Sequence, residues 1–245
     1  MALIEAELVS LKNHRRALLY ALALLVAMTA VFLAVGRHPG DPGTTTTLPF
    51  VGRLDQTVYN AMGHIRNTAL TWVAKALNVI GGGIVTIPLR IAVALFLVFR
   101  RRWRNLVAWL LTWTVAEVML QVAKAWYARP RPPFPLVSTG GLSFPSGHAV
   151  AASATAVALV LIVLPAGSRR RKWELLTIGF SFVMAMSRVY LNAHWFSDVV
   201  AGVLLGTGVA LGSAALVTEI RNVILRRRAV PGGDSPSATG RPREP

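Results

Sequence analysis

Six apolar segments constrain this chain more than any other feature of its sequence, because most of them run for about 20 residues. A helix rises about 1.5 Å per residue, so a run of that length matches the hydrocarbon thickness of a bilayer. The segments cover about residues 17–36, 84–99, 105–127, 148–164, 173–190 and 198–220. The sequence therefore predicts an all-α fold, a polytopic membrane bundle of six transmembrane helices.

The first apolar segment has a second interpretation as a secretory signal peptide. Lys12, Arg15 and Arg16 precede it, and residues 34–36 resemble a cleavage site. Its apolar run is long for a signal peptide, whose core is usually shorter than a span. We therefore expect a retained membrane anchor.

The net charge of +16 points to an anionic partner. Nucleic acid is excluded as that partner, because soluble nucleic-acid-binding proteins do not carry several apolar runs of membrane length. Basic residues cluster between the runs, at 12–16, 100–104, 169–172 and 221–228. Lys and Arg accumulate on the cytoplasmic side of membrane spans, and six spans place all four clusters on one side. We expect a multi-pass protein of the cell membrane with both termini in the cytoplasm.

The segments outside the spans complete the predicted organisation. Residues 1–16 form a cytoplasmic N-terminal segment, 17–229 the transmembrane domain, and 230–245 a tail rich in Pro, Gly and Ser that we expect to be disordered. The first outer loop covers about 37–83. It carries apolar residues at helical spacing: Leu54, Val58, Met62, Ile65, Val73, Leu77 and Ile80. This spacing predicts one or two amphipathic helices on the outer leaflet.

Polar side chains near the membrane gather in three stretches, at residues 124–132, 144–148 and 187–198. With six spans and the orientation above, all three lie at the outer ends of helices. They bring seven side chains to one level: Lys124, Arg131, Ser146, His148, Arg188, His194 and Asp198. We therefore predict that the functional site is extracytoplasmic.

The basic members of this group suit the binding of phosphate. Arg131 and Arg188 offer planar forks of donors for phosphate oxygens, and Lys124 adds a point charge. Ser146 stands directly before an apolar helix, whose free N–H groups and positive end attract anions. The sequence predicts a phosphate cradle at this helix start.

The histidines and the aspartate suit an attack on phosphorus. His194 and Asp198 are four residues apart, so on a helix the carboxylate orients the imidazole. We predict that His194 attacks phosphorus, His148 protonates the leaving oxygen, and water then hydrolyses the phosphohistidine. The outward-facing carboxylates number only three, Asp41, Asp55 and Asp198, which is too few for a two-metal site. We expect no metal and no other cofactor.

These motifs resemble the signature of the type 2 phosphatidic acid phosphatases (lipid phosphate phosphatases), a family related to vanadium haloperoxidases and bacterial acid phosphatases. The signature has three parts, present in order as Lys124 to Pro132, Pro145 to His148, and Ser187 to Asp198. The resemblance implies a six-helix membrane fold with His194 as nucleophile, Asp198 as its partner and His148 as the acid. The phosphate ligands that it implies are Lys124, Arg131, Ser146, Gly147, His148 and Arg188.

The predicted function is an integral membrane phosphatase that hydrolyses a lipid phosphate or polyprenyl diphosphate at the outer face. A phosphotransferase with the same site, an anion transporter and a non-catalytic lipid-binding scaffold are the alternatives. Transporters place their sites near the bilayer midplane, whereas here the charges lie mainly at helix ends. The sequence leaves open which lipid is the substrate and which oligomeric state the protein adopts.

Three smaller expectations concern residues outside this group. Arg129 is expected to remain a surface charge. Arg90 and Glu117, which lie deeper in the second and third spans, are expected to form an ion pair because bare charges at that depth are costly. The last span contains two small-xxx-small patterns, at Gly202, Gly206, Gly208 and Gly212. They predict close packing inside the bundle, with a dimer seam as the alternative.

Overall fold

A computed structural model describes residues 14–36, 47–165 and 167–229. These residues form eight helices and no strand, which confirms the all-α prediction for this part of the chain. The helices are α1 His14–Val35, α2 Pro49–His64, α3 Thr68–Gly81, α4 Gly83–Phe99, α5 Trp103–Tyr127, α6 Gly147–Val163, α7 Ser168–Tyr190 and α8 Phe196–Ala229. The predicted disordered tail and most of the predicted N-terminal segment lie outside the described residues.

Six of these helices, α1 and α4 to α8, coincide with the six predicted spans. Within the described residues, α1, α5 and α8 are each long and apolar enough to cross a membrane alone. Helices α3 and α4 meet that requirement as a pair bent by 42°, and α6 is a shorter apolar helix. Helix α7 begins with four basic residues, 169–172, which lower its apolar character. A membrane-spanning protein is therefore supported, while the count of six spans stays a prediction.

The first outer loop contains two helices, α2 and α3, where amphipathic helices are predicted. Pro49 in the first turn favours the start of α2, because its missing N–H has no acceptor there in any case. Asn67 caps α3, since its side chain accepts a hydrogen bond from the N–H of Leu70 at 2.9 Å. The existence of the two helices is confirmed, and their position on the outer leaflet stays a prediction.

Helices α6 and α8 approach each other so closely that glycine is required between them. A Cβ atom at Gly202 would lie 2.8 Å from the Cβ of Ala149, and one at Gly206 would lie 2.2 Å from the Oγ of Ser153. This confirms packing inside the bundle for the first two glycines of the small-residue patterns. Gly208 faces Leu25 of α1 at ordinary contact distance, and a Cβ at Gly212 would meet no described atom within 4 Å. The close approach fixes the start of α6 beside the start of α8.

The charged residues deeper in the bundle do not form the predicted ion pair. The guanidinium of Arg90 stacks on the ring of Trp113, with its carbon 3.0 Å from the ring centroid. Glu117 is exposed and accepts a hydrogen bond from the Gln121 amide at 2.7 Å. An aromatic face attracts a guanidinium electrostatically, so Trp113 takes the place of the carboxylate as its neighbour.

Candidate active site

The seven polar residues predicted to share one level lie at one end of the bundle. They come from the end of α5, the start of α6, the end of α7, the start of α8 and the loops that join these helices. The basic residues 100–102 precede α5, whose 25 residues span about 37 Å. The polar site and this basic cluster are therefore separated by the full length of a membrane-spanning helix.

His194 and Asp198 face each other across the turn that starts α8. The Nδ1 of His194 lies 3.5 Å from Asp198 Oδ2, which is an electrostatic contact longer than an ordinary hydrogen bond. On the other side of the ring, Nε2 lies 3.1 Å from Arg131 NH1. A guanidinium is always a donor, so Nε2 accepts this bond and the ring proton belongs on Nδ1, toward Asp198. In this tautomer the Nε2 lone pair faces the cationic side of the site.

The environment of His194 favours the neutral imidazole. Its side chain is only 3% exposed, and this burial lowers the pKa of His194 to about 4. Asp198 acts in the opposite direction, while the cations Arg131 and Arg188 lower the pKa further. His194 is therefore an unprotonated base throughout the neutral pH range.

Asp198 is fully buried, and both of its carboxylate oxygens are bonded. Its Oδ1 accepts from Arg129 NH1 at 2.6 Å. Its Oδ2 accepts from the Ser143 hydroxyl and from the N–H of Trp195 at 2.9 Å. The first turn of a helix also favours a negative charge. These interactions keep Asp198 ionised and fix its orientation toward the imidazole.

The start of α6 presents free hydrogen-bond donors, as the phosphate-cradle prediction requires. The first bond within this helix joins Val150 N to Ser146 O at 3.0 Å, so the N–H groups of Gly147 and His148 have no acceptor inside the helix. A Cβ at Gly147 would make only ordinary contact with Leu120, at 3.5 Å. Packing therefore does not demand glycine here, and the lack of a side chain leaves the backbone accessible to a ligand.

His148 and Arg188 both contact Asn78, near the end of α3. The Nε2 of His148 lies 3.1 Å from the carbonyl oxygen of Asn78, and Arg188 NH1 donates to the side-chain Oδ1 of the same residue. His148 also interacts electrostatically with Arg188, His194 and Arg131. The structure thus gathers both histidines and both arginines, and adds an asparagine that the sequence analysis missed.

Several buried polar atoms at this site have no partner. The Oγ of Ser146, the Nε of Arg188 and the Nδ1 of His194 make no hydrogen bond to any described residue. An unpaired buried polar group is costly, so the two of these atoms that do not face Asp198 are donors available to a polar ligand. Two of the three atoms are a hydroxyl and a guanidinium N–H, which donate to anions.

The two remaining cations are held by backbone carbonyls of the loops that follow α5 and α7. Lys124 Nζ donates to the carbonyl oxygen of Leu142 at 2.9 Å. Arg131 donates to the carbonyl oxygens of Gly140 at 2.7 Å and Ala193 at 2.6 Å. Burial lowers the pKa of Arg131, but an arginine starts so high that it stays charged. Backbone carbonyls therefore hold these cations in place without neutralising them.

Arg129 corrects the expectation of a surface charge. It is only 4% exposed and lies between two carboxylates, those of Asp198 and Asp55. Asp55, on α2, is also buried. The basic stretch 124–132 contains no signal that Arg129 is buried. The burial depends on a carboxylate brought from the first outer loop.

Known proteins are similar to this chain over the region that contains these residues. The model of the PAP2 superfamily matches residues 105–221, which contain every residue of the predicted site. Phosphatidylglycerophosphatase B of Bacillus subtilis (strain 168) is 32% identical over 158 residues, covering 62% of this chain and 77% of that protein. An undecaprenyl-diphosphatase of Sulfolobus acidocaldarius is 34% identical over 131 residues, covering 50% of this chain and 60% of that protein.

Solved structures show the same fold. The crystal structure of a transmembrane PAP2-type phosphatidylglycerolphosphate phosphatase from Bacillus subtilis aligns with a TM-score of 0.67 and 25% identity, covering 83% of this chain and 96% of that one. The structure of Aquifex aeolicus LpxE aligns with a TM-score of 0.54 and 22% identity, covering 64% and 93%. With the three motifs in order at one end of the bundle, these matches confirm the resemblance: the chain belongs to the PAP2 superfamily.

Proposed function

We propose that this chain hydrolyses a lipid phosphate or a polyprenyl diphosphate at the outer face of the membrane, through a phosphohistidine and without a metal ion. That it is a phosphate hydrolase of the PAP2 superfamily rests on relatives that are named phosphatases. One observation carries the mechanism: the unprotonated Nε2 of His194 faces a pocket of cations, while Asp198 lies behind the ring.

The first step is the attack of His194 on phosphorus. The substrate phosphate displaces Asn78 from Arg188 and takes up the free N–H groups at the start of α6. A bond then forms between Nε2 and phosphorus as the bond from phosphorus to the leaving oxygen breaks. The negative charge of the bound phosphate favours the protonated form of His148, which gives its proton to that oxygen. The developing positive charge on His194 is stabilised by Asp198.

The second step returns the enzyme to its starting state. His148, now neutral, accepts a proton from a water molecule, whose oxygen attacks phosphorus. The bond between phosphorus and Nε2 breaks, its electron pair returns to the imidazole, and inorganic phosphate leaves. Arg131, Arg188 and Lys124 stabilise the charge on the phosphoryl oxygens in both steps.

The chemistry of the site supports a reaction without a metal. Cations of the protein surround the place where charge develops, which is the task that metal ions perform in other phosphatases. Among the described residues no group of three or more His, Asp or Glu side chains is placed to hold a metal ion. We therefore expect activity to persist in the presence of a chelator.

The outer-face assignment rests on the distribution of basic residues. The cationic segments 100–102 and 169–172 lie at the helix ends opposite the site, and such clusters mark the cytoplasmic side. A site at the outer membrane surface suits a substrate whose apolar tail stays in the bilayer. The relatives are named for two such substrates, phosphatidylglycerophosphate and undecaprenyl diphosphate.

The test is phosphate release by the purified protein in detergent from phosphatidylglycerophosphate, undecaprenyl diphosphate and phosphatidate, with and without EDTA. His194→Ala is expected to lose at least about 10³-fold in kcat, as for other nucleophile deletions. His64→Ala, an exposed histidine on α2, is the matched control and should keep wild-type activity. Undiminished release by His194→Ala would refute the nucleophile, and loss on adding EDTA with rescue by Mg²⁺ would refute the metal-free mechanism.

A phosphotransferase would form the same phosphohistidine and pass the group to an alcohol. Including glycerol or a lipid alcohol in the assay separates the two outcomes. Hydrolysis releases the transferred phosphoryl group as inorganic phosphate, whereas transfer gives a phosphate ester of the added alcohol that thin-layer chromatography detects.

A further inference from the structure

A buried charge network joins the first outer loop to the candidate active site. The Arg129 guanidinium bridges two carboxylates: its NH1 lies 2.6 Å from Asp198 Oδ1 and its NH2 lies 2.7 Å from Asp55 Oδ2. Asp55 belongs to α2, and Asp198 to the first turn of α8. The first residues of these two helices, Pro49 and Phe196, are 147 positions apart in the sequence, and one arginine ties them together.

 

Asp55 also binds the start of α8 directly. Its Oδ1 accepts from the N–H of Ser197 at 2.8 Å, and its Oδ2 accepts from the Ser197 hydroxyl at 2.7 Å. The N–H groups in the first turn of a helix have no acceptor inside the helix, so a carboxylate is a favourable partner there. Asp55 therefore holds α8 beside Asp198 as well as binding Arg129.

The burial of the network makes it more than a surface ion pair. Asp55 is 2% exposed, Arg129 4% and Asp198 0%. Removing one partner from a buried pair leaves an uncompensated charge, which costs far more than the loss of an exposed pair. One cation here serves two carboxylates, so the three charges act together.

We propose that Arg129 and Asp55 are positioning residues for catalysis, which aim the Asp198 carboxylate at His194 and set how much of its negative charge the imidazole experiences. This inference rests on the proposed function. Neither residue touches the phosphate in this proposal. Both act through Asp198, whose Oδ1 is held by Arg129 while Oδ2 faces the imidazole.

The alternative is that the network only anchors α2 to the bundle. The two roles differ in their effect on the protonation of His194. The charged and titratable groups around this imidazole are Arg131, Arg188, His148 and Asp198, with Arg129 and Asp55 in the next layer. Arg129 offsets part of the Asp198 charge, and Asp55 offsets part of the Arg129 charge. Neutralising Arg129 should therefore favour protonation of His194, whereas neutralising Asp55 should disfavour it.

The experiment is the pH dependence of kcat/KM for Arg129→Gln, Asp55→Asn and the double variant. Without Arg129 the protonated form of His194 is less disfavoured, so the acid limb of the kcat/KM profile should move to a pH about one unit higher. Without Asp55 the Arg129 charge is uncompensated, so the limb should stay at or below the wild-type position. The double variant should lie between the two single variants. Both single variants should lose about 10–100-fold in kcat, as for other groups that orient a reacting residue, with little change in KM.

Two further variants separate positioning from folding. Arg129→Lys keeps the charge but cannot bridge two carboxylates as a fork does, so it should lower kcat and leave the acid limb in place. Arg53→Gln, an exposed arginine on α2, is the matched control and should behave as wild type. The amount of folded protein is measured for each variant by size-exclusion chromatography in detergent.

The outcomes distinguish this inference from the proposed function. If Arg129→Gln and Asp55→Asn leave the acid limb unmoved, and lose activity only in proportion to the folded fraction, the network is an anchor and the inference is wrong. If Arg129→Gln and Asp55→Asn have the same kcat and pH profile as Arg53→Gln, the inference is wrong as well. Either result leaves the nucleophile intact, because that role is tested by His194→Ala.

Discussion

The backbone N–H of Ser146 donates a hydrogen bond to the carbonyl oxygen of Asp198 at 3.0 Å. This bond joins the second sequence motif to the third and sets the phosphate cradle of α6 beside the carboxylate that orients His194. Gly202 and Gly206 of α8 make this bond possible, because their lack of a side chain lets the backbones of α6 and α8 approach closely. The geometry of the site therefore depends directly on the packing of α6 against α8.

Gly206→Ala is expected to destabilise the protein. The new Cβ would lie 2.2 Å from Ser153 Oγ and 2.5 Å from the backbone oxygen of Val150, so the helices must separate. Overpacking of this kind costs about 1–3 kcal/mol. Gly212→Ala is the matched control on the same helix, because its Cβ meets no described atom within 4 Å. Thermal unfolding in detergent should show a lower Tm for Gly206→Ala only, and equal Tm values would contradict the close packing.

Asn78→Asp is expected to weaken substrate binding. The Asn78 side chain contacts Arg188, and its carbonyl oxygen contacts His148. A carboxylate there would pair with Arg188 and repel a phosphate, so KM and the inhibition constant of vanadate should each rise by about tenfold, equivalent to about 1.4 kcal/mol. Asn60→Asp, an exposed position on α2, is the control. Unchanged constants in Asn78→Asp would place Asn78 away from the ligand.

The sequence predicted the gathering of the site well, for a physical reason. Helix ends alternate between the two faces of a membrane, so polar residues at successive ends must meet once the spans are assigned. His194 and Asp198 face each other as predicted but do not share a helix, because His194 lies in the turn before α8, which begins at Phe196. The apolar runs likewise located α1 and α4 to α8, although α8 continues nine residues beyond its predicted end, through a basic segment that hydropathy does not count as a span.

The residues that the sequence analysis missed belong to the first outer loop or depend on it. Asp55 and Asn78 lie on α2 and α3, whose amphipathic pattern identifies helices but not where they pack. The sequence predicts a surface charge at Arg129, because its partner Asp55 is distant in the chain. Arg90 is predicted to pair with Glu117, yet it stacks on Trp113. In each case a tertiary contact determines where the side chain lies, and the hydropathy pattern does not predict such contacts.

The wild-type enzyme is expected to remain active well below pH 6. Burial lowers the pKa of His194 to about 4, so Nε2 is unprotonated above that value and the nucleophile is lost only as the pH falls through about 4. The measurement is the acid limb of kcat/KM between pH 3.5 and 7.5, with the ionisation of the free substrate located separately by ³¹P titration. An enzyme limb near 6.5, the value of a solvated imidazole, would contradict the buried geometry.

The same shift has a consequence for stability. In the unfolded chain His194 binds a proton near its ordinary pKa of about 6.5, whereas in the folded protein it does so only near 4. The unfolded state therefore binds more protons between these values, and stability falls as the pH is lowered through this window. His194→Gln cannot titrate, so its Tm should depend less on pH between about 6.5 and 4 than that of the wild type. Equal pH dependence would indicate that His194 titrates normally.

His148→Gln is expected to trap the phosphohistidine. Loss of the acid slows the first step least when the leaving group is good, so a diphosphate or p-nitrophenyl phosphate should still phosphorylate His194. The second step also needs His148, as the base that activates water, so hydrolysis slows by about 10²–10⁴-fold and the intermediate accumulates. Rapid quenching with ³²P-labelled substrate should reveal protein-bound label that is stable in alkali and released by acid, as a phosphoramidate requires. The double variant His148→Gln/His194→Ala is the control, and label that persists in it would show that another residue is the nucleophile.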